Sequence, residues 1–374
     1  MVVLVDVLRN RAEVEKVARI MGAEPAEFVF LETLPADDVR RFREQVTAVV
    51  HDGAPEMLDR IAAATRLVPA GVAAAISQKA LGPRLAAAVA GRLEPARAAD
   101  IIEKLPVSFT ARSCGHLDPR RIAGIVDRLD EGLVVRIAVA LAEAGDHLTM
   151  GRFVGHLRDG VLARILEQVG DDTVLRAGYY VDQPDRVPRI LESMGADRLR
   201  SVIGAAAAAG LWREALAVAG MVGGEQRRRI AQVTARLDAQ ALASLVRVTH
   251  EEGLWEALLP LVALLDAEDR QAVARLEALA EPEVLTGVVR AVVATGLWGE
   301  FLPLVDALPR PSRRIVAEAA AALDDEALDA LAREVGKQDL WELVLPLVEL
   351  MDDAGKQRIF ELPAFQEQGE TGER

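Results

Sequence analysis

The apolar positions of this chain fall into short runs at helical spacing, and in the second half those runs repeat. Leu211-Trp212-Arg-Glu-Ala-Leu216, Leu254-Trp255-Glu-Ala-Leu-Leu259, Leu297-Trp298-Gly-Glu-Phe-Leu302 and Leu340-Trp341-Glu-Leu-Val-Leu345 stand in register, each 43 residues from the next. Gly210, Gly253 and Gly296 precede the first three runs, and Asp339 takes that place before the fourth. A glycine just past an apolar helical run accepts positive φ and closes the helix, so Leu-Trp opens the next one. Pro260, Pro303 and Pro346 follow five residues after their indoles, with Ala217 in the first copy. A proline at that depth removes a backbone donor and clashes with the preceding turn, which predicts a short or kinked helix. Asp266 to Leu276 reads as a second helix behind an acidic cap, and Pro282 to Val293 as a third that opens on proline. Each unit is thus predicted to hold three helices.

The first half carries a shorter signature. Leu93-Glu-Pro-Ala-Arg-Ala-Ala-Asp-Ile-Ile-Glu-Lys-Leu105 and Leu117-Asp-Pro-Arg-Arg-Ile-Ala-Gly-Ile-Val-Asp-Arg-Leu129 match position by position, 24 residues apart. Looser copies run from Leu34 to Val46 and from Leu157 to Val169. Each is a leucine, a capping acid or proline, and an amphipathic turn and a half. The chain is therefore expected to be all-α. Expected segments are 1–92 (N-terminal, helical), 93–204 (irregular short repeats), 205–365 (four 43-residue three-helix repeats) and 366–374 (a polar, disordered tail). The change of composition at Gly204-Ala-Ala-Ala-Ala-Ala-Gly210 is the expected seam.

A three-helix unit of this length resembles HEAT and armadillo repeats, which implies a right-handed α-solenoid of short capped helices. The Leu93 and Leu117 helices resemble the superhelical cytoplasmic N domain of MgtE-type magnesium transporters and the helical repeats of flagellar motor switch proteins, over about residues 80–205. The transporter resemblance implies a Mg²⁺-responsive regulatory domain as one possible role. In those transporters the domain precedes a regulatory pair and a membrane domain, and neither pattern occurs in this sequence.

Composition sharpens this picture. Half of the residues are hydrophobic and only 4% aromatic, so the apolar mass is Ala, Leu and Val, which favours helices. A net charge of −14 disfavours nucleic acid and anionic membranes as partners. One cysteine, Cys114, excludes an internal disulfide and a thiolate metal cage, and fits a cytoplasmic location. The start, Met1 to Asp6, lacks the order of a signal peptide, and the longest uncharged apolar stretch, Val202 to Trp212, is too short to span a bilayer.

No catalytic constellation is visible: no phosphate loop, no nucleophile elbow and no His-Glu-x-x-His. Cys114 and His116 supply at most two ligands, and His147 and His156 are expected at solvated helix ends. The acidic pairs Asp37-Asp38, Asp171-Asp172, Asp324-Asp325 and Asp352-Asp353 are expected to serve helix N-termini. The densest mix of acids with the only two tyrosines, Tyr179 and Tyr180, includes Asp171, Asp172, Asp182 and Asp185, the candidates for a metal, and the two tyrosines are candidates for partner binding. Trp212, Trp255, Trp298 and Trp341 either anchor helix starts against neighbouring layers or line a groove for an extended peptide. The expectation is a non-enzymatic scaffold without cofactor, presenting a curved surface to a protein or peptide. The alternative is a carrier of lipid or hydrophobic ligand, or a membrane-associated accessory factor, suggested by the Ala/Val/Leu excess and by Val2-Val-Leu-Val5.

Overall fold

The computed structural model describes residues 6–51 and 55–363, and every regular element among them is helical. The apolar start Val2 to Val5 and the tail 366–374 lie outside the described residues. The chain divides into two compact units, Met1–Gly195 and Ala196–Arg374, so the break falls a few residues ahead of the composition change at Gly204.

The first unit opens with two 16-residue helices, Asp6–Met21 and Ala36–His51, which pack on each other and on the 3-10 segment Pro25–Thr33 between them. Short helices follow. Pro95–Ile102 and Pro119–Val126, the two signature copies, are eight residues each and carry proline in the first turn. Their caps differ: the Glu94 side chain makes no capping bond, whereas Asp118 accepts from the Arg120 N–H. Asp130 and Asp146 cap Glu131–Glu143 and His147–Val154 in the same way, accepting from the N–H groups of Leu133 and Thr149. Such a cap satisfies one of the orphan donors of the first turn, which lets helices this short persist. Their apolar faces meet in a core that includes Leu133, Val135, Ile137, Val161 and Ile165.

In the second unit each indole stands at the first residue of its helix: Trp212–Gly220, Trp255–Val262, Trp298–Ala307 and Trp341–Val348. These helices pack each on the next along the chain. Behind each of the first three come two more helices: Gly224–Ala235 and Ala239–Glu251, then Ala267–Ala274 and Pro282–Thr295, then Arg310–Ala321 and Asp325–Lys337. After Trp341–Val348 there is one, Asp353–Glu361, before the described residues end. Gly210, Gly253 and Gly296 adopt φ of 66°, 68° and 72°, the left-handed region that a Cβ opposes. Asp339 has φ of 54° and is the single non-glycine residue with positive φ among the described residues. Pro260, Pro303 and Pro346 lie inside helices of eight, ten and eight residues. Asp238, Asp266, Asp324 and Asp352 cap the helices that follow them.

Candidate functional site

The first unit buries an ionic network. Ala36, Val39, Arg43 and Thr47 share one face of their helix, and all four are buried. On the first helix Glu13 and Lys16 sit among buried Ala12, Val14 and Val17. The Lys16 ammonium donates to Glu13 at 2.8 Å and to Asp182 at 2.7 Å. The Arg43 guanidinium donates through Nε to the second Glu13 oxygen at 2.7 Å, and through Nη1 and Nη2 to Asp182 at 3.3 and 3.0 Å. Arg152, also buried, places Nε 4.0 Å from Asp182 and donates from Nη2 to the Leu117 carbonyl at 3.2 Å. Burial by itself would raise the Asp182 carboxyl, but the charges of Lys16 and Arg43 outweigh it and hold the group well below the ordinary carboxylate range. Burial likewise opposes the charge on Arg43, and Glu13 and Asp182 reverse the balance and raise it. Arg152, with more distant carboxylates, is lowered by its burial. Both oxygens of Glu13 and of Asp182 face cations, so neither carboxylate is left open to a metal. The arrangement ties residues 13–16, residue 43 and the 180–183 segment to one point.

The other acids proposed for a metal are not gathered around Asp182. Asp171 and Asp172 lie in the first turn of Asp171–Tyr179, behind the N-cap Gly170, and Asp185 sits on the exposed face of a 3-10 turn. Among the described residues no group of three His, Cys, Asp or Glu could hold a metal ion. Tyr179 is buried and stacks edge-on against Tyr180 with ring centroids 4.9 Å apart. The Tyr180 hydroxyl donates to Glu15, so the pair joins the same neighbourhood as the ion network. Cys114 ends its helix inside the core, and burial together with nearby Asp146 pushes its thiol up to about 12. A thiol held that high is a poor nucleophile at neutral pH. His116, His147 and His156 are each lowered, chiefly by burial; His147 opens its helix and His156 follows the end of the same helix, both half-buried, and His116 is exposed.

In the second unit the indoles of Trp212, Trp255 and Trp298 are buried, and Trp341 is half-buried. Trp212 Nε1 donates to the Ser244 hydroxyl at 3.0 Å. The residue 32 positions after the indole is small in each of the next layers as well, Gly287 and Ala330. Gly287 lies beneath His250: a Cβ added there would come within 2.7 Å of the imidazole Cε1. It would also stand 3.9 Å from Trp255 Nε1, which is buried without a hydrogen-bond partner. One layer further on, Val293 occupies the place equivalent to His250, and a cavity of about 560 Å³ opens. Trp298, Val293, Ala327, Ala330 and Leu331 form its apolar wall, and Asp324, Glu326 and Glu334 its rim. Of the partner-binding candidates read from the sequence, Trp298 lines this cavity, together with Gly296 and Asp324, which were read as helix caps.

The ion network was not read from sequence, although a signal was present. Arg43, Glu13 and Lys16 stand in phase with buried apolar positions, where a solvated charge does not belong. Asp182 was noticed, but its partners lie 139 and 166 residues away in sequence. Comparison with protein families, with curated proteins and with solved structures returned no match to this chain.

Proposed function

We propose that the chain is a non-enzymatic binding protein whose second unit stacks as a right-handed, HEAT-like α-solenoid and presents its layered surface to a protein or peptide partner. The observation that carries this reading is the cavity beside Trp298. Its lining combines apolar side chains with three carboxylates. It also sits on a row of helices that pack each on the next at a 43-residue spacing. Purification of the tagged full chain from its native cell, with mass spectrometry of protein and lipid, tests the proposal. A stoichiometric protein partner, lost when Ala330→Leu fills the cavity, supports it. A stoichiometric lipid with no protein overturns it.

That second outcome has its own motive. Exposed large apolar side chains gather in the first unit, with Phe30 at 65%, Val49 at 73% and Leu67 at 87% exposure. Apolar surface of this kind serves lipid or protein contact. No helix among the described residues is long and apolar enough to cross a membrane. A Mg²⁺-responsive role draws no support from Asp182, which Lys16 and Arg43 already hold.

A further inference from the structure

We propose that the Trp298 cavity takes a basic side chain, arginine or lysine, of an extended peptide segment; this rests on the binding role proposed above and names the chemistry of its partner. The wall and the rim match the two parts of such a side chain. Val293, Trp298, Ala327, Ala330 and Leu331 offer apolar contact for an aliphatic stem. Asp324 and Glu326 stand at the rim for the cationic head. Asp324 is exposed and uses one carboxylate oxygen to cap its helix, accepting from the Ala327 N–H; Glu326 is exposed as well. Glu334 is already shared with Gln338 at 2.7 Å and Lys337 at 3.3 Å, so the free charge belongs to the other two. The neighbouring cations are committed elsewhere: Arg333 pairs with Asp329 and Arg358 with Asp325.

Acids recur at the places equivalent to Asp324 and Glu326 in earlier layers, Asp238 and then Glu281 with Glu283, with Gln240 neutral, whereas the places equivalent to Glu334 hold Val248 and Ala291. Layers of packed helices stand about 8–10 Å apart, and an extended chain advances about 3.3 Å per residue. The row therefore fits a segment with basic residues at every third position. Nucleic acid, the other polymer that meets charged grooves, carries the wrong sign for this rim.

The test is calorimetric titration of the full chain at low salt with the peptide acetyl-Arg-Ala-Ala-Arg-Ala-Ala-Arg-amide, and with its Glu counterpart. Binding of the first and not the second is expected. The double substitution Asp324→Asn with Glu326→Gln removes both charges and keeps a capping residue at 324. It should weaken binding roughly tenfold or more, with a shallower salt dependence. Ala330→Leu, which fills the cavity and leaves the charge unchanged, should weaken it likewise. Circular dichroism establishes that each variant is folded. No heat with wild type, or equal affinity in both variants, overturns the inference. A cellular partner that ignores both variants overturns it too, and leaves the broader binding role standing.

Discussion

Asp182→Ala tests whether the first unit depends on its buried charges. Lys16, Arg43 and Arg152 are 2%, 4% and 4% exposed, and two carboxylates, Glu13 and Asp182, face them. With Asp182 gone, Lys16 and Arg43 share Glu13 alone, and Arg152 loses the closest carboxylate it has and keeps only the more distant Asp118 and Glu13. Removing one partner of a buried ion pair costs about 3–5 kcal/mol, because the remaining charge stays desolvated. For a unit of this size 1 kcal/mol moves Tm by about 2–4 °C, so the loss should fall between about 6 and 20 °C. Calorimetry on the full chain gives Tm, and pulsed labelling of Cys114, which is buried in the same unit, reports its opening separately. The pH dependence has a definite sign. The Asp182 carboxyl lies lower in the folded state than in the unfolded chain, so its contribution is fully present above the unfolded value of about 3.9. It fades as pH falls from there through the folded value. The gap between wild type and variant should thus be flat from pH 5 to 8 and narrow only below about pH 4. Lys16→Met combined with Asp182→Ala should cost less than the sum of the two alone, by about 0.5–3 kcal/mol. A Tm change under about 2 °C for Asp182→Ala, or strict additivity in the pair, refutes the reasoning.

Three further outcomes follow from local geometry. Asp339→Gly, which puts glycine at the one non-glycine positive φ, should raise stability by about 0.5–1 kcal/mol in urea unfolding followed by tryptophan fluorescence; a loss would mean that the aspartate side chain stabilises that turn. Trp255→Ala should cost about 3–5 kcal/mol, and Trp341→Ala clearly less because its indole is only half-buried; equal costs in the same assay would contradict the burial difference. Cys114 should resist maleimide at pH 7 in the native chain and react fully in guanidinium, and fast native labelling would show that the thiol is neither buried nor raised.

Helix ends were the most legible part of this molecule, because they are set by neighbours in sequence. Gly210, Gly253 and Gly296 read as caps and carry the left-handed backbone that caps need. Asp324 and Asp352 read as capping acids and accept the expected N–H groups, whereas Asp171 and Asp172 begin a helix whose N-cap is Gly170. The limits appear where distant segments meet. Trp212 gives its N–H to Ser244, 32 residues further along the chain. Nothing near Asp182 in sequence announces Lys16 or Arg43, so a chain-local reading could see an acid but not the cations that neutralise it. The cavity was hidden for a related reason: Trp298 is buried much as Trp255 is, and only a neighbour distinguishes them.

That neighbour carries a general point about repeats. Positions that stay the same from layer to layer, such as the leucine before each indole, perform the same packing task each time and cannot distinguish one layer from another. Recognition has to come from positions that change. At one such position the chain has Ala207, His250 and Val293 in successive layers. The imidazole of His250 covers Gly287, which has no side chain of its own. Val293 is shorter and branched, and at this layer it lines a cavity together with Trp298 and Ala330. The rim position changes once, from Gln240 in the first layer to Glu283 and Glu326 in the next two, so both later layers carry the acid and only the step from His250 to Val293 separates them. His250→Val should therefore open a second cavity beside Trp255, with Glu281 and Glu283 at its rim. A structure of that variant in which Trp255 or Thr249 simply collapses into the vacated space would show that the cavity beside Trp298 needs more than the single exchange. An open cavity that takes up the arginine peptide would show that one side chain per layer is enough to switch recognition on.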